Sequence, residues 1–282
     1  MNKKIYLSKK IVQDFILWTL PKINIQSQFE HSYYDLRSKS IWKCNSIFNA
    51  FENYKWKFTC SIPELGKVKG SSYNESQLVL EQIKNNLSRA VEEKDHKKAL
   101  EYSASILEWG GVKRSNYDKL KAMDKEIINY YKTMRIQIHP NSANTDSDFS
   151  NVFMNSGFTK IYSLLIDDFI IYDSRVGATL CLLIREFLTE FNIQNIPTEL
   201  NFAYGNARQT PNSSLPINRR NPSNLSYKFS VLRNNAKHHT INNMKANWLI
   251  KELAVKSKFK NTASPMRSLE AALFMIGYSV NG

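Results

Sequence analysis

The chain has 282 residues, with 39 lysines and arginines against 25 acidic residues, and 42% of its residues are hydrophobic. This apolar content excludes a disordered chain, and no apolar run approaches the roughly 18 uncharged residues that a membrane span requires. Three distant cysteines, five histidines and nine glycines disfavour a disulfide framework, a zinc site and a glycine-rich nucleotide loop. We therefore expect a cytoplasmic protein that holds no metal and no cofactor.

The formal net charge is +14, and the positive residues recur along the chain rather than in one tail. A distributed basic surface is typical of proteins that bind a polyanion, because lysine and arginine neutralise phosphates. A lysine-rich composition without any such partner is the alternative explanation of the charge. We expect a nucleic acid as the partner and a monomeric protein.

Apolar residues at helical spacing predict a mainly α-helical fold, with a small β element in the N-terminal third. The first helix is expected to end at Pro21, and residues 57–62 are expected to form a strand or an extended loop. Further helices are predicted over 41–51, 78–91, 94–109, 115–134, 157–166, 174–191, 225–239, 241–257 and 265–280. We expect an N-terminal region, 1–70, packed on a helical core, 71–282, that contains a long loop at 192–222.

One segment, residues 156–176, combines a turn, a short helix, an extended link and the start of a long helix. Lys160 falls in the first turn of the short helix, and Asp173 is the expected N-cap of the long helix. The two residues are 13 positions apart. A tight turn between the two helices would therefore bring an amine and a carboxylate to one cleft.

An amine beside a carboxylate is sufficient to break a glycosidic C–N bond. The carboxylate stabilises the positive charge that develops on the sugar as the base leaves, and a desolvated lysine attacks as a nucleophile. In duplex DNA the base must first be flipped out of the stack, and a basic surface then holds the bent backbone. The alternative is structural: Asp173 would only cap its helix, at about 1 kcal/mol, and Lys160 would be a solvated surface lysine.

The motifs Gly-Phe-Thr-Lys-Ile-Tyr, at 157–162, and Phe-Ile-Ile-Tyr-Asp-Ser-Arg-Val, at 169–176, resemble the Lys…Asp segment of helix-hairpin-helix DNA glycosylases. The chain is most similar to bacterial proteins of the 8-oxoguanine DNA glycosylase fold, over residues 107–191. The resemblance implies a helix-hairpin-helix glycosylase-like fold. It also implies that Lys160 is the nucleophile of a bifunctional enzyme and that Asp173 is the catalytic carboxylate. The hairpin before the lysine holds one glycine, where the family usually has Leu-Pro-Gly-Val-Gly.

The other candidate residues belong to two groups. Residues expected to contact DNA lie in the hairpin, at the start of the long helix, after the Trp-Gly-Gly motif and in the long loop: Ser156, Gly157, Thr159, Arg175, Lys113, Arg114, Arg219 and Arg220. Residues expected to line a pocket for the flipped base are Trp109, His139, Tyr172 and Tyr204. Each of them has a structural alternative, as a core aromatic or as a solvated surface side chain.

The leading hypothesis is a DNA glycosylase, with or without an abasic-site lyase activity, that acts on double-stranded DNA. A damaged base, in DNA repair, and a modified viral base, in antiviral defence, are both open as substrates. Two alternatives remain: a non-enzymatic basic protein that binds nucleic acid on the same scaffold, and a helical interaction module whose charge reflects composition alone. A metal-dependent nuclease is disfavoured, because the sequence has no clustered carboxylate and histidine motif.

Overall fold

The structure of the protein, a computed structural model, describes residues 1–36, 38–207, 219–232 and 235–281. Within these residues the fold is mainly α-helical, with three two-stranded sheets made of short strands. The predicted fold class, mainly α with a small β element, is therefore confirmed.

The first 70 residues alternate helices with two hairpins. In chain order the elements are α1 Lys3–Ser8, α2 Lys10–Asn24, β1 His31–Asp35, β2 Ser40–Cys44, α3 Ile47–Glu52, β3 Phe58–Ile62 and β4 Gly66–Gly70. Strand β1 pairs with β2, and β3 pairs with β4, both antiparallel. The strand expected at 57–62 is thus present as β3.

Two predictions in this region were wrong. Helix α2 continues past Pro21 to Asn24, because the proline lies in the last turn and burial of Ile23 holds that turn in place. The helix predicted over 41–51 is split into β2 and α3. Trp42 stacks on Tyr33 across the β1–β2 hairpin, with ring centroids 4.8 Å apart, and this cross-strand pair favours the strand.

The rest of the chain is a helical assembly. Its elements are α4 Tyr73–Glu92, α5 His96–Trp109, α6 Arg114–Met123, α7 Ile127–Gln137, α8 Phe158–Leu165, α9 Ser174–Glu190, β5 Ala203–Tyr204, β6 Ser230–Val231, α10 Ala236–Lys256 and α11 Pro265–Ile276. Strands β5 and β6 are parallel, and short 3-10 turns cover Asp124–Glu126 and Lys258–Asn261. A capping box of Ser72 and Glu75 starts α4.

The structure corrects two further helix predictions. The helix expected over 115–134 is interrupted at Asp124, whose φ of 46° lies in the left-handed region and breaks the helical hydrogen bonds. The helices expected over 225–239 and 241–257 are instead the single helix α10. Its N-cap is Asn235. Earlier in the predicted range, Ser230–Val231 is the strand β6, and the N–H of Leu232 donates to the Tyr204 carbonyl.

One hydrophobic cluster runs through the described residues, from Tyr6 in α1 to Val280 beyond α11. The ring of Tyr6 lies 5.5 Å from that of Trp248 in α10, so the N-terminal residues share the core with the later helices. The division at residue 70 stays a prediction. In the described part of the chain no helix is both long and apolar enough to cross a membrane.

The first turn of α9 is held by a close approach of α11. Gly277, directly after α11, packs against the carbonyl group of Arg175, and a Cβ at this position would collide with that carbonyl. The absence of a side chain at Gly277 therefore allows α9 to begin where it does, with Asp173 and Arg175 facing the same side of the molecule as the end of α11.

We predict that Gly277→Ala lowers the free energy of unfolding by about 3 kcal/mol, because the added methyl group forces backbone atoms apart. Urea denaturation measures this loss. The control is Gly66→Ala, where the added Cβ meets no atom within 4 Å but the φ of +73° is strained, at about 1 kcal/mol. Equal losses in the two variants would contradict the packing argument.

Candidate active site

A cavity of about 840 Å³ lies where α4, α5, α8, α9 and α11 meet. Most of the basic residues singled out from the sequence line this cavity. The predicted site residues along its wall are Trp109, Ser156, Lys160, Asp173, Arg175, Arg219 and Arg220. The proposed amine and carboxylate are thus brought to a single cavity.

Lys160 lies in the first turn of α8, as expected, but it is not a solvated surface lysine. Its side chain is 5% exposed, and Nζ donates a hydrogen bond of 2.9 Å to the carbonyl oxygen of Ser156. The carbon chain of Lys160 lies directly over Gly110, where any Cβ would collide with it. The glycine that ends α5 therefore also makes room for the lysine.

Asp173 is the N-cap of α9, as the sequence predicts. Its Oδ1 accepts hydrogen bonds from the backbone N–H groups of Arg175, at 2.8 Å, and Val176, at 3.1 Å. No described residue donates a hydrogen bond to Oδ2. The cap therefore fixes the carboxylate through one oxygen, in a residue that lines the cavity.

His239, in α10, holds the backbone next to Asp173. Its Nε2 donates to the Tyr172 carbonyl oxygen at 2.9 Å, since a carbonyl can only accept. Burial lowers the pKa of His239 to about 4, so the ring is neutral at pH 7. This positioning residue was missed by the sequence analysis, because nothing local to residue 239 shows that it packs behind residue 172.

A wall of aromatic side chains also went unpredicted. The Arg175 guanidinium lies 4.3 Å from the ring centre of Phe274, 4.8 Å from that of Tyr278 and 5.2 Å from that of Trp56. These three rings line the cavity. Phe274 and Tyr278 are four positions apart, but Trp56 is far from both in the sequence, and only the folded chain brings it to them.

A second carboxylate in the cavity wall, Glu270, is already fully engaged. Both of its oxygens accept hydrogen bonds from Arg267, at 2.6 and 2.7 Å, and Oε2 also accepts from the N–H of Ile171. Burial raises the pKa of Glu270, and Arg267 opposes that shift. Its contacts are those of a structural tie between α11 and the segment that leads to Asp173.

The structure does not bring all of the predicted residues to the cavity. His139 lines a separate, smaller pocket, and the side chains of Tyr172 and Tyr204 are buried behind the cavity wall. Lys113 forms an ion pair of 2.6 Å with Glu108, and Arg114 is exposed at the start of α6. None of these five predicted residues is among the side chains that line the cavity.

The hairpin before Lys160 uses its backbone amides internally. The N–H groups of Gly157 and Phe158 donate to the Asn155 side-chain oxygen, at 2.7 and 3.1 Å. The N–H of Thr159 donates to the Asn155 carbonyl, and that of Lys160 donates to the Gly157 carbonyl. A phosphate could reach these amides only by replacing the Asn155 bonds, so DNA contact by Ser156, Gly157 and Thr159 stays a prediction.

Metal-ligating residues are not grouped in the described ranges, where no three His, Cys, Asp or Glu side chains are arranged to hold an ion. The three cysteines, Cys44, Cys60 and Cys181, are buried free thiols. The described side chains that line the cavity include an amine, three carboxylates, guanidinium groups and aromatic rings.

We predict that His239→Gln changes how stability depends on pH. The unfolded histidine takes up a proton near pH 6.5, whereas the folded one does so near pH 4, so acidification between these values favours unfolding by about 1.4 kcal/mol per pH unit. Urea denaturation at pH 7.5 and pH 5 should show that the wild type loses more stability than His239→Gln does. Identical pH dependences would contradict the neutral, buried state of this ring.

Comparison of the chain with protein-family models, with curated proteins and with solved structures gives no match. The interpretation of the site therefore depends on the geometry and chemistry of its own residues.

Proposed function

We propose that the protein is a DNA glycosylase that flips a damaged or modified base out of double-stranded DNA and excises it, leaving an abasic site. One observation carries the proposal: a buried amine, Lys160, and a carboxylate with one uncommitted oxygen, Asp173, line the same cavity of about 840 Å³. Both residues belong to the two motifs that resemble the glycosylase segment.

The carboxylate supplies charge stabilisation. When the glycosidic C–N bond breaks, the electron pair leaves with the base and positive charge spreads over C1′ and the ring oxygen of the sugar. Oδ2 of Asp173 is held by the helix cap in a fixed position, so no reorganisation is needed when this charge develops. Water or an amine then bonds to C1′.

The amine of Lys160 supplies the nucleophile in the bifunctional form of the reaction. Nζ, as the neutral amine, bonds to C1′ while the base departs with the electron pair of the broken bond and takes up a proton. Opening of the sugar ring then gives an imine, and its hydrolysis returns the lysine and releases an abasic site. Without attack by Nζ, water takes the same place at C1′.

The cavity has the features that an extruded base requires. Its volume falls in the range of small-molecule sites, about 300–1,000 Å³, and its walls carry Trp56, Trp109 and Tyr278. A flipped base loses its partners in the duplex, and aromatic side chains in a cavity wall supply apolar contacts in their place. The net charge of +14 supports binding to the DNA backbone.

We further propose that the protein acts as a monomer in the cytoplasm. The three cysteines are free thiols, which fits a reducing compartment. Repair of cellular DNA and attack on modified viral DNA both agree with this site, and they differ only in the base that is recognised.

The test is a base-release assay with a panel of duplexes that carry oxidised, alkylated, deaminated or hypermodified bases. Alkali cleaves each abasic site, and mass spectrometry identifies the free base. Release of one base class by the wild type supports the proposal. Salt-sensitive binding to every duplex without release of any base would favour the non-enzymatic nucleic-acid-binding protein.

We predict that Asp173→Asn slows base release by at least about 10²-fold, because the amide cannot stabilise positive charge as a carboxylate does. Asparagine caps helices as well as aspartate, so folding and DNA binding should be retained. The matched control is Asp118→Asn, an exposed position on α6 outside the cavity. Full activity in Asp173→Asn would show that the carboxylate has no role in the reaction.

We predict that borohydride traps a covalent complex between the wild-type protein and the duplex from which the base has been excised, by reduction of the imine on Lys160. Lys160→Gln should lose the trapped complex entirely. Lys132→Gln, an exposed control lysine on α7, should trap as much as the wild type. A complex that persists in Lys160→Gln, seen on a denaturing gel, would assign the covalent bond to another amine.

A further inference from the structure

Three arginines cluster in the cavity on the side of Asp173. Arg175 is 7% exposed and Arg219 is 8% exposed, and both guanidinium groups lie within 5.3 Å of the Tyr278 ring centre. Arg220 is adjacent, and its Nη1 donates to the hydroxyl of Ser174 at 2.8 Å. Buried arginines are costly unless their N–H groups and their charge are matched.

Several N–H groups in this cluster are unmatched. Nε and Nη1 of Arg219 and Nε of Arg220 are buried and have no hydrogen-bond partner among the described residues. A buried donor without an acceptor costs about 1–3 kcal/mol, and more when the group is charged. An acceptor that arrives from outside the chain would remove this cost.

The positive charge of the cavity is also unbalanced. Cationic side chains in the lining are Lys57, Lys160, Arg175, Arg219, Arg220 and Arg267, and the acidic ones are Glu108, Asp173 and Glu270. Among the described residues, Glu108 is paired with Lys113 and Glu270 is paired with Arg267, so neither carboxylate pairs with Arg219 or Arg220. Residues 37, 208–218 and 233–234, which lie outside the described ranges, include no aspartate or glutamate.

The positive charges of this cluster change the pKa of one of its own arginines. Burial, followed by the like charges of Arg175 and Arg219, lowers the pKa of Arg220 to about 9, although Asp173 opposes the shift. A bound anion would act in the opposite direction. The geometry, the unmatched donors and the charge thus all favour an anionic ligand.

We infer that Arg175, Arg219 and Arg220 form a binding subsite for a phosphate group inside the cavity. Guanidinium groups donate paired, planar hydrogen bonds that match phosphate oxygens, and three of them match a group with three or four free oxygens better than a carboxylate. The phosphate of a nucleotide and free inorganic phosphate share this chemistry. The inference does not depend on base excision, since it concerns the cavity of the free protein.

Isothermal titration of the whole protein in phosphate-free buffer tests the inference, with inorganic phosphate, a deoxynucleoside 5′-monophosphate and the corresponding deoxynucleoside as ligands. We expect saturable 1:1 binding of both phosphate compounds. Affinity for the monophosphate above that for inorganic phosphate and for the nucleoside would identify a nucleotide as the source. Equal affinity for the two phosphate compounds would identify free phosphate.

Arg219→Gln should weaken phosphate binding by at least about tenfold, because it removes one charge and two of the three unmatched donors. Arg219→Lys keeps the charge and should restore binding only in part, which separates loss of binding from loss of the fold. Arg89→Gln, at an exposed position on α4, should bind as the wild type does. No saturable binding of either phosphate compound, or unchanged binding in Arg219→Gln, would overturn the inference. DNA cleavage is not used in either readout, so failure here is distinct from failure of the proposed excision.

Discussion

The hydrogen bonds from two backbone N–H groups of α9 to one oxygen of Asp173 are the constraint on which the candidate site depends. They fix the carboxylate, through Oδ1, at the start of a buried helix whose N-cap residue lines the cavity. Other contacts support this arrangement from behind. His239 holds the preceding carbonyl of Tyr172, and Gly277 allows α11 to approach the first turn of α9.

In the proposed reaction, the positive charge of the cavity would have two opposite effects. It would attract DNA, but it would oppose the positive charge that develops on the sugar. At an effective dielectric constant near 20, a cation about 7 Å from the sugar raises the energy of this developing charge by about 2 kcal/mol. A phosphate bound by Arg219 and Arg220 would cancel this opposition, and Asp173 would then act on the sugar without competition. The proposed excision reaction and the inferred phosphate subsite would therefore be connected by electrostatics, although each is testable alone.

The sequence was informative where the chemistry is local. Capping rules place Asp173 at a helix N-terminus. The spacing of apolar residues predicts the short helix over 157–166, and Lys160 lies in its first turn. The sequence was less informative where distant segments meet. Trp56 and Tyr278 are far apart in the chain, and His139, just after α7, lies in another pocket beside Arg135 and Leu164. Helix periodicity missed the β1–β2 hairpin because its short strands are stabilised by the cross-strand Tyr33–Trp42 pair rather than by a regular apolar pattern.

The most direct test of the account does not require the substrate base to be known. A pyrrolidine ring that replaces one sugar in a duplex carries a positive charge, like the charge that develops on the sugar in the transition state. A tetrahydrofuran ring of similar shape is neutral. A protein of charge +14 should, by its net charge alone, bind the more positive duplex less tightly. The account predicts the reverse: dissociation constants at about 0.15 M salt should be at least about tenfold lower for the pyrrolidine duplex, because the carboxylate of Asp173 recognises that charge. Equal or weaker binding of the pyrrolidine duplex would contradict the assignment of this cavity to base excision.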